Sequence, residues 1–151
     1  MATKPMSSST NKSARRRARE FALQGLYQWQ VGGQGTSAIR LQAAGVPGFA
    51  KADEALYATL LDETLEHAET LQNDLAPHIS REWMEISPIE RGVLLLGACE
   101  LRYHPETPYR VVINEYIELA KTFGGTEGHK FVNGVLDKTA AVLRPAEVRQ
   151  G

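Results

Sequence analysis

Arg15, Arg16, Arg17 and Arg19 stand within five consecutive positions of the segment Ala14-Arg15-Arg16-Arg17-Ala18-Arg19-Glu20. A guanidinium presents a planar fork of donors, so such a cluster can hold phosphate oxygens by paired, charge-assisted hydrogen bonds. An aromatic follows at Tyr27. At about 100° per residue, a helix places Arg16, Leu23, Tyr27 and Gln30 on one stripe. Ala14, Ala18, Phe21, Ala22, Gly25 and Trp29 fall on the opposite stripe, which is expected to face the core. Arg15 and Arg19 sit one turn apart on the shoulder. The outer face is therefore expected to offer cations followed by a ring able to stack an unpaired base. The alternative is an arginine run that serves solubility, with a tyrosine that borders the core.

A second group of candidates lies further along. Lys130, Gly134, Asp137 and Lys138 share a polar stripe, opposite a core stripe of Val132, Val135, Leu136, Thr139 and Leu143. Phe131 falls on the shoulder nearest Lys138, an awkward place for a buried ring. Before it, Asn114, Glu118 and Lys121 share a polar stripe, while Tyr116, Leu119, Ala120 and Phe123 are expected to point inward with Val112. The link from Gly124 to Gly128 holds three glycines. It either lets backbone amides approach a ligand or is only a tight turn between helices.

Charge is unevenly distributed. Residues 1–20 carry six basic side chains against Glu20 alone, a net of +5, and the other 131 residues carry 11 basic and 17 acidic groups, a net of -6. One basic pole on an acidic remainder suits contact with two different surfaces. Between positions 53 and 90, ten acidic residues face only Arg81. A solvated helix face explains them, and a docking surface for a basic protein is the alternative. Glu82 and Glu85 are the candidate partner contacts.

Catalytic constellations are missing: there is no Walker loop, GxGxxG, HExxH or GxSxG. No catalytic residue, cofactor or metal is expected. One cysteine and four scattered histidines do not make a zinc motif. Cys99 lies in an apolar run, which reads as a buried reduced thiol. His129, near the edge of an apolar face, reads as a packed or capping residue. No apolar run approaches the ~20 residues of a membrane span. The N-terminus lacks the apolar segment of a secretory signal, so a cytoplasmic protein is expected.

These side chains must be positioned by helices, since no sustained period-two pattern appears. The spacing predicts a helix from about Ser13 to Val31, ended by Gly32-Gly33. A loop follows to Ala50, with one short helix near Ser37 to Ala44. Asp53 caps a long helix expected to reach Ala76, before Pro77. After a turn at Trp83 and Met84, Ser87-Pro88-Ile89-Glu90 opens a helix to about His104. Thr107-Pro108 opens another, to Gly124-Gly125, and Thr126 is the expected cap of the last, to Leu143. The expected fold is an all-α bundle of about seven helices, two of them short. A soft boundary near 77–87 separates two halves. Residues 1–12 are expected to be a disordered basic tail, 13–145 one domain, and 146–151 a second tail.

Three stretches carry a resemblance: ARRRAREFALQGLYQWQ (14–30), VVINEYIELAKTFGG (111–125) and HKFVNGVLDKTAAVLRP (129–145). With ISPIERGVLLLGACELRY they cover most of residues 14–145, and in this the chain resembles the bacterial NusB family of transcription antitermination factors. The resemblance implies an all-helical fold of two packed subdomains and a non-enzymatic role. Such proteins pair with NusE, a small-subunit ribosomal protein. The pair binds the boxA element of nascent ribosomal RNA leaders and joins an RNA polymerase antitermination complex. The family's arginine-rich motif falls on Arg15, Arg16, Arg17 and Arg19, its helix-one tyrosine on Tyr27, and its HKF phenylalanine on Phe131. A position near the RNA falls on Glu127. Gln30, Lys121, Lys130 and Lys138 complete the candidate RNA face.

Two other readings remain from the sequence. One is the RNA-docking helical module found beside some ribosomal RNA methyltransferases, against which stands the lack of room for a cofactor-binding α/β domain. The other is a protein-binding scaffold. The exposed aromatic shoulders would also suit a homodimer that hides the RNA face.

Overall fold

A computed structural model describes residues 12–125 and 127–150. Eight α-helices are present: α1 (Ala14–Gly32), α2 (Thr36–Ala44), α3 (Glu54–Glu66), α4 (Ala68–Leu75), α5 (Pro88–Tyr103), α6 (Tyr109–Phe123), α7 (Gly128–Leu143) and α8 (Pro145–Gln150). Three 3-10 turns lie at Phe49–Lys51, Ala76–His78 and Trp83–Glu85, and the described residues hold no strand. The expected cap at Thr126 and the expected tail over residues 1–11 lie outside the described residues.

Local chemistry sets the helix ends. The Ser13 hydroxyl accepts the Arg16 N–H at 3.0 Å and opens α1. Gly33, at φ 68, closes it by donating its N–H to the Trp29 carbonyl, a left-handed cap that favours glycine. Asp53 accepts the Leu56 N–H to open α3, and Ser87 accepts the Glu90 N–H to open α5, with Pro88 at the first helical position.

Helix α5 is the hub. Every residue from Arg91 to Leu101 is buried, and the helix packs against α1, α3, α4, α6 and α7. Leu94, Leu96 and Cys99 are fully enclosed in one continuous apolar cluster with Leu26, Leu60, Leu61, Val112, Val132 and Leu136. Truncating one such leucine to alanine typically costs about 2–5 kcal/mol. The loop between α2 and α3 is anchored by Phe49, whose ring meets Phe21 and Tyr57 edge-on at 5.0 and 5.2 Å.

Three expectations are corrected. The long helix after Asp53 is two helices, broken at His67, which leaves helical geometry (φ -111, ψ 23). Its ring packs on Tyr103 at 4.9 Å, and the new axis lets Leu71 and Leu75 reach the core. The stretch after Pro145 is helix α8 rather than a tail. Buried Arg144, just before it, donates to the carbonyls of Glu100, Leu101 and His104 at the end of α5. Glu147 of α8 ion-pairs with Arg144 and accepts the Tyr109 N–H at the start of α6. Ala14 is exposed rather than part of the core face.

Candidate nucleic-acid interface

The helical turn of about 100° per residue splays the arginine run in several directions. Arg15 is half exposed and only loosely faces Asp53, at 3.9 Å. Arg16 reaches across to α6 and grips Glu115 with two hydrogen bonds, 3.0 and 2.9 Å. That contact holds its guanidinium above its ordinary pKa. Arg17 turns toward the α2–α3 loop, where its terminal nitrogen would lie 4.0 Å from a side chain at Gly48. It makes no hydrogen bond or ion pair among the described residues.

Arg19 is the main correction to the expected face. Only 3% of it is exposed, and it donates to both oxygens of Glu100, at 2.7 and 2.9 Å. The Tyr116 hydroxyl donates to the same carboxylate in a short bond. Burial would depress the Arg19 guanidinium, yet the bonds to Glu100 outweigh it and hold the charge firmly. Burial and the Glu100 carboxylate together push the Tyr116 phenol well above its usual range. The triad links α1, α5 and α6 and turns Arg19 inward, away from solvent. The sign was in the sequence. Glu100 sits inside the apolar run Val93–Leu101, and a buried carboxylate requires a cation. Arg19, Leu23 and Leu26 repeat at the spacing of a core stripe, and all three are buried.

Gln30 is likewise spoken for. Its amide nitrogen donates to the Pro88 carbonyl at 3.0 Å and its oxygen accepts from Arg91 at 2.7 Å. It is a brace between α1 and α5 and leaves the candidate face. Leu23, expected on the outer stripe, is buried.

Tyr27 does reach solvent, being 42% exposed. It lines a surface depression of about 300 Å³ with Leu23, Gln24, Gln28, Ile89 and Phe123. Phe123 was expected inside; instead it is 38% exposed at the end of α6 and shares the depression with Tyr27. Since Arg16 meets Glu115 midway along α6 and Tyr27 shares its depression with Phe123 at the end, α1 and α6 run in the same direction along one seam. Tyr27 lies eleven residues, about 16 Å, along α1 from Arg16.

The Gly-rich link borders this depression. Gly124 follows Phe123, and a Cβ there would fall 2.7 Å from the Ala120 carbonyl oxygen. Gly128 abuts the Glu90 carboxylate, next to Ile89. Close helix contacts therefore account for both glycines. Among the described residues no side chain caps the first turn of α7, where the Gly128 and Lys130 N–H groups donate to the Gly125 and Glu127 carbonyls. Lys130 pairs with Glu127 at 2.8 Å and Lys121 with Glu118 at 3.4 Å, all well exposed. Such pairs are weak and dissociate readily in favour of a phosphate. Lys138 is exposed and unpaired among the described residues.

Phe131 is half buried against the core, and the Arg81 guanidinium lies 4.0 Å from its ring centroid. Its accessible face is thus already covered by a cation. Nothing in the sequence pattern pairs positions 81 and 131. Glu82 and Glu85 are exposed and flank Met84, itself 75% exposed. Behind them Trp29, Trp83, Met84, Gln72 and Leu95 line a second depression of about 360 Å³. His129 is half buried. No helix among the described residues is long and apolar enough to cross a membrane.

The model of the NusB family matches residues 16–141. A transcription antitermination protein NusB of Dechloromonas aromatica is 56% identical over 137 residues, covering 91% of this chain and 84% of that protein. Its namesake in Aromatoleum aromaticum is 54% identical over 142 residues, covering 94% and 98%. Among solved structures, T. maritima NusB superposes with a TM-score of 0.78 at 27% identity, covering 91% of this chain and 97% of that one. A crystal structure of antitermination factors NusB and NusE in complex with dsRNA gives a TM-score of 0.73 at 25% identity, covering 85% and 97%.

Proposed function

The chain belongs to the NusB family, and from that premise we propose that it is a non-enzymatic, RNA-binding antitermination factor that works with NusE. Its RNA is the boxA element of nascent ribosomal leaders, and the pair acts within an RNA polymerase complex that resists premature termination. The observation that carries the RNA-binding part is the seam between α1 and α6. Lightly engaged cations stand at one end of α1, and the Tyr27–Phe123 depression lies at the far end of the seam. The cations anchor phosphates and supply affinity. The rings select unstacked bases, since phosphate contacts carry no sequence information. Arg15, Arg16, Arg17, Lys121, Lys130 and Lys138 form the cationic set, with Arg16 exchanging Glu115 for phosphate. The dsRNA in the solved NusB–NusE complex makes both single- and double-stranded boxA RNA necessary probes.

The acidic rim of Glu82 and Glu85 around the Trp29–Trp83–Met84 depression supports a docking place for a basic protein, and NusE is the natural occupant. Aromatic anchors in a pocket with a charged rim are the usual anatomy of such contacts.

The test is RNA affinity against salt, with and without NusE. Replacing Arg15 and Arg17 together by alanine is expected to weaken binding and to flatten the salt slope by roughly 1.4, at about 0.7 per phosphate. Tyr27→Ala is expected to cost about 1–3 kcal/mol of binding with the salt slope intact. A salt-independent affinity, or a double variant that binds like the wild type, would overturn the assignment of this face.

A further inference from the structure

His104, at the end of α5, faces a carboxylate with each ring nitrogen. Nε2 lies 2.7 Å from Glu63 of α3 and Nδ1 lies 3.1 Å from Glu106. A neutral imidazole has one N–H. It can satisfy one carboxylate and must turn a lone pair toward the other. Cys99 Sγ lies 3.6 Å from the same Glu63 oxygen. One sulfur, one nitrogen and one oxygen donor, from Cys99, His104 and Glu63, all fall within 4.8 Å of one another. A second observation points into this group. The Thr64 hydroxyl is fully buried with no hydrogen-bond partner among the described residues. It stands where it favours the ionised form of the Cys99 thiol, so a thiolate would give it the acceptor it lacks.

We propose that Glu63, Cys99 and His104 form a binding site for a divalent transition-metal ion of the zinc class. The donor set suits that ion, which takes thiolate, imidazole and carboxylate ligands in a tetrahedron. Ligand atoms in such a site lie about 3.5 Å apart, given bonds of about 2.0–2.3 Å. The observed spacing brackets that value. The fourth position falls to water, which enters past the partly exposed Glu63 side chain. His104 offers the Nε2 lone pair and keeps its Nδ1–H on Glu106, the carboxylate–imidazole–metal arrangement that fixes ring and tautomer. On binding, the thiol proton leaves to solvent and a metal–sulfur bond forms. Without a cation, burial and the neighbouring Glu63 carboxylate push the Cys99 thiol up to about 12. A cation between the two groups reverses that repulsion. Affinity should therefore rise by up to tenfold per pH unit while one proton is displaced. The ion would tie α3 to the end of α5, away from the α1–α6 seam.

Cobalt and zinc titrations of the reduced, untagged, metal-stripped protein test this. One Co²⁺ per chain is expected, with a near-ultraviolet thiolate-to-cobalt charge-transfer band that Zn²⁺ abolishes. Cys99→Ser should remove the band. His104→Gln, at the rim, should weaken binding severely with unchanged circular dichroism. Glu106→Gln should weaken it about 10- to 100-fold through the imidazole, whereas His129→Ala should change nothing. Absence of the band in the wild type, or undiminished zinc affinity in both Cys99→Ser and His104→Gln, would overturn the site.

Discussion

Replacing Arg19 by alanine removes the cation that neutralises Glu100 and leaves a carboxylate with no solvent exposure, held only by the Tyr116 hydroxyl. Breaking one side of a buried pair in this way costs about 3–5 kcal/mol. A domain of this kind has about 5–15 kcal/mol in total. The melting temperature should fall by roughly 6–20 °C, at about 2–4 °C per kcal/mol for a chain of this size. Urea unfolding followed by far-ultraviolet circular dichroism reads the loss directly. Arg17→Ala is the internal control, because that side chain makes no ion pair among the described residues. It should stay within about 0.5 kcal/mol of the wild type. The combined change Arg19→Met, Glu100→Leu and Tyr116→Phe should recover most of the loss, since no charge is then buried. If Arg19→Ala loses less than about 1 kcal/mol while RNA affinity falls, the triad is not what holds α1, α5 and α6 together, and Arg19 belongs to the RNA face after all.

Two further outcomes are expected. Gly124→Ala should destabilise the fold by about 1–3 kcal/mol, because its Cβ meets the rigid Ala120 carbonyl at 2.7 Å; an unchanged urea midpoint would show that the end of α6 yields freely. Glu147 is held below the usual carboxylate range, chiefly by the Tyr109 N–H and then by Arg144. Its bound form is the anion, so its contribution is complete above its unfolded pKa of about 4.3 and is lost as pH falls through the lower folded value. Wild-type stability should therefore drop more steeply than that of Glu147→Gln in acid, and parallel urea-midpoint curves would refute the clamp on α6.

Helix existence was legible because the apolar period and the end signals agree. Ser13, Gly33, Asp53 and Ser87 act through bonds to residues a few positions away, so one-dimensional reading finds them. The break at His67 was not legible, because it depends on Tyr103, 36 positions further along. Helix α8 was missed for a similar reason: its anchors are the far carbonyls of α5 and the start of α6.

By itself the sequence determined an all-helical chain, a basic pole and a buried cysteine. Each follows from residue type and the 3.6-residue turn. Tertiary structure alone decided how the charges are spent. A helix wheel cannot tell a shoulder that meets water from one that meets another helix, so Arg19 and Gln30 passed for surface groups until Glu100, Arg91 and Pro88 were placed beside them. For the same reason Phe123, Arg81 and the Glu63–Cys99–His104 group acquired their neighbours only on folding. Pairings between distant positions are set by how helices pack, and the chain's local periodicity carries no record of them.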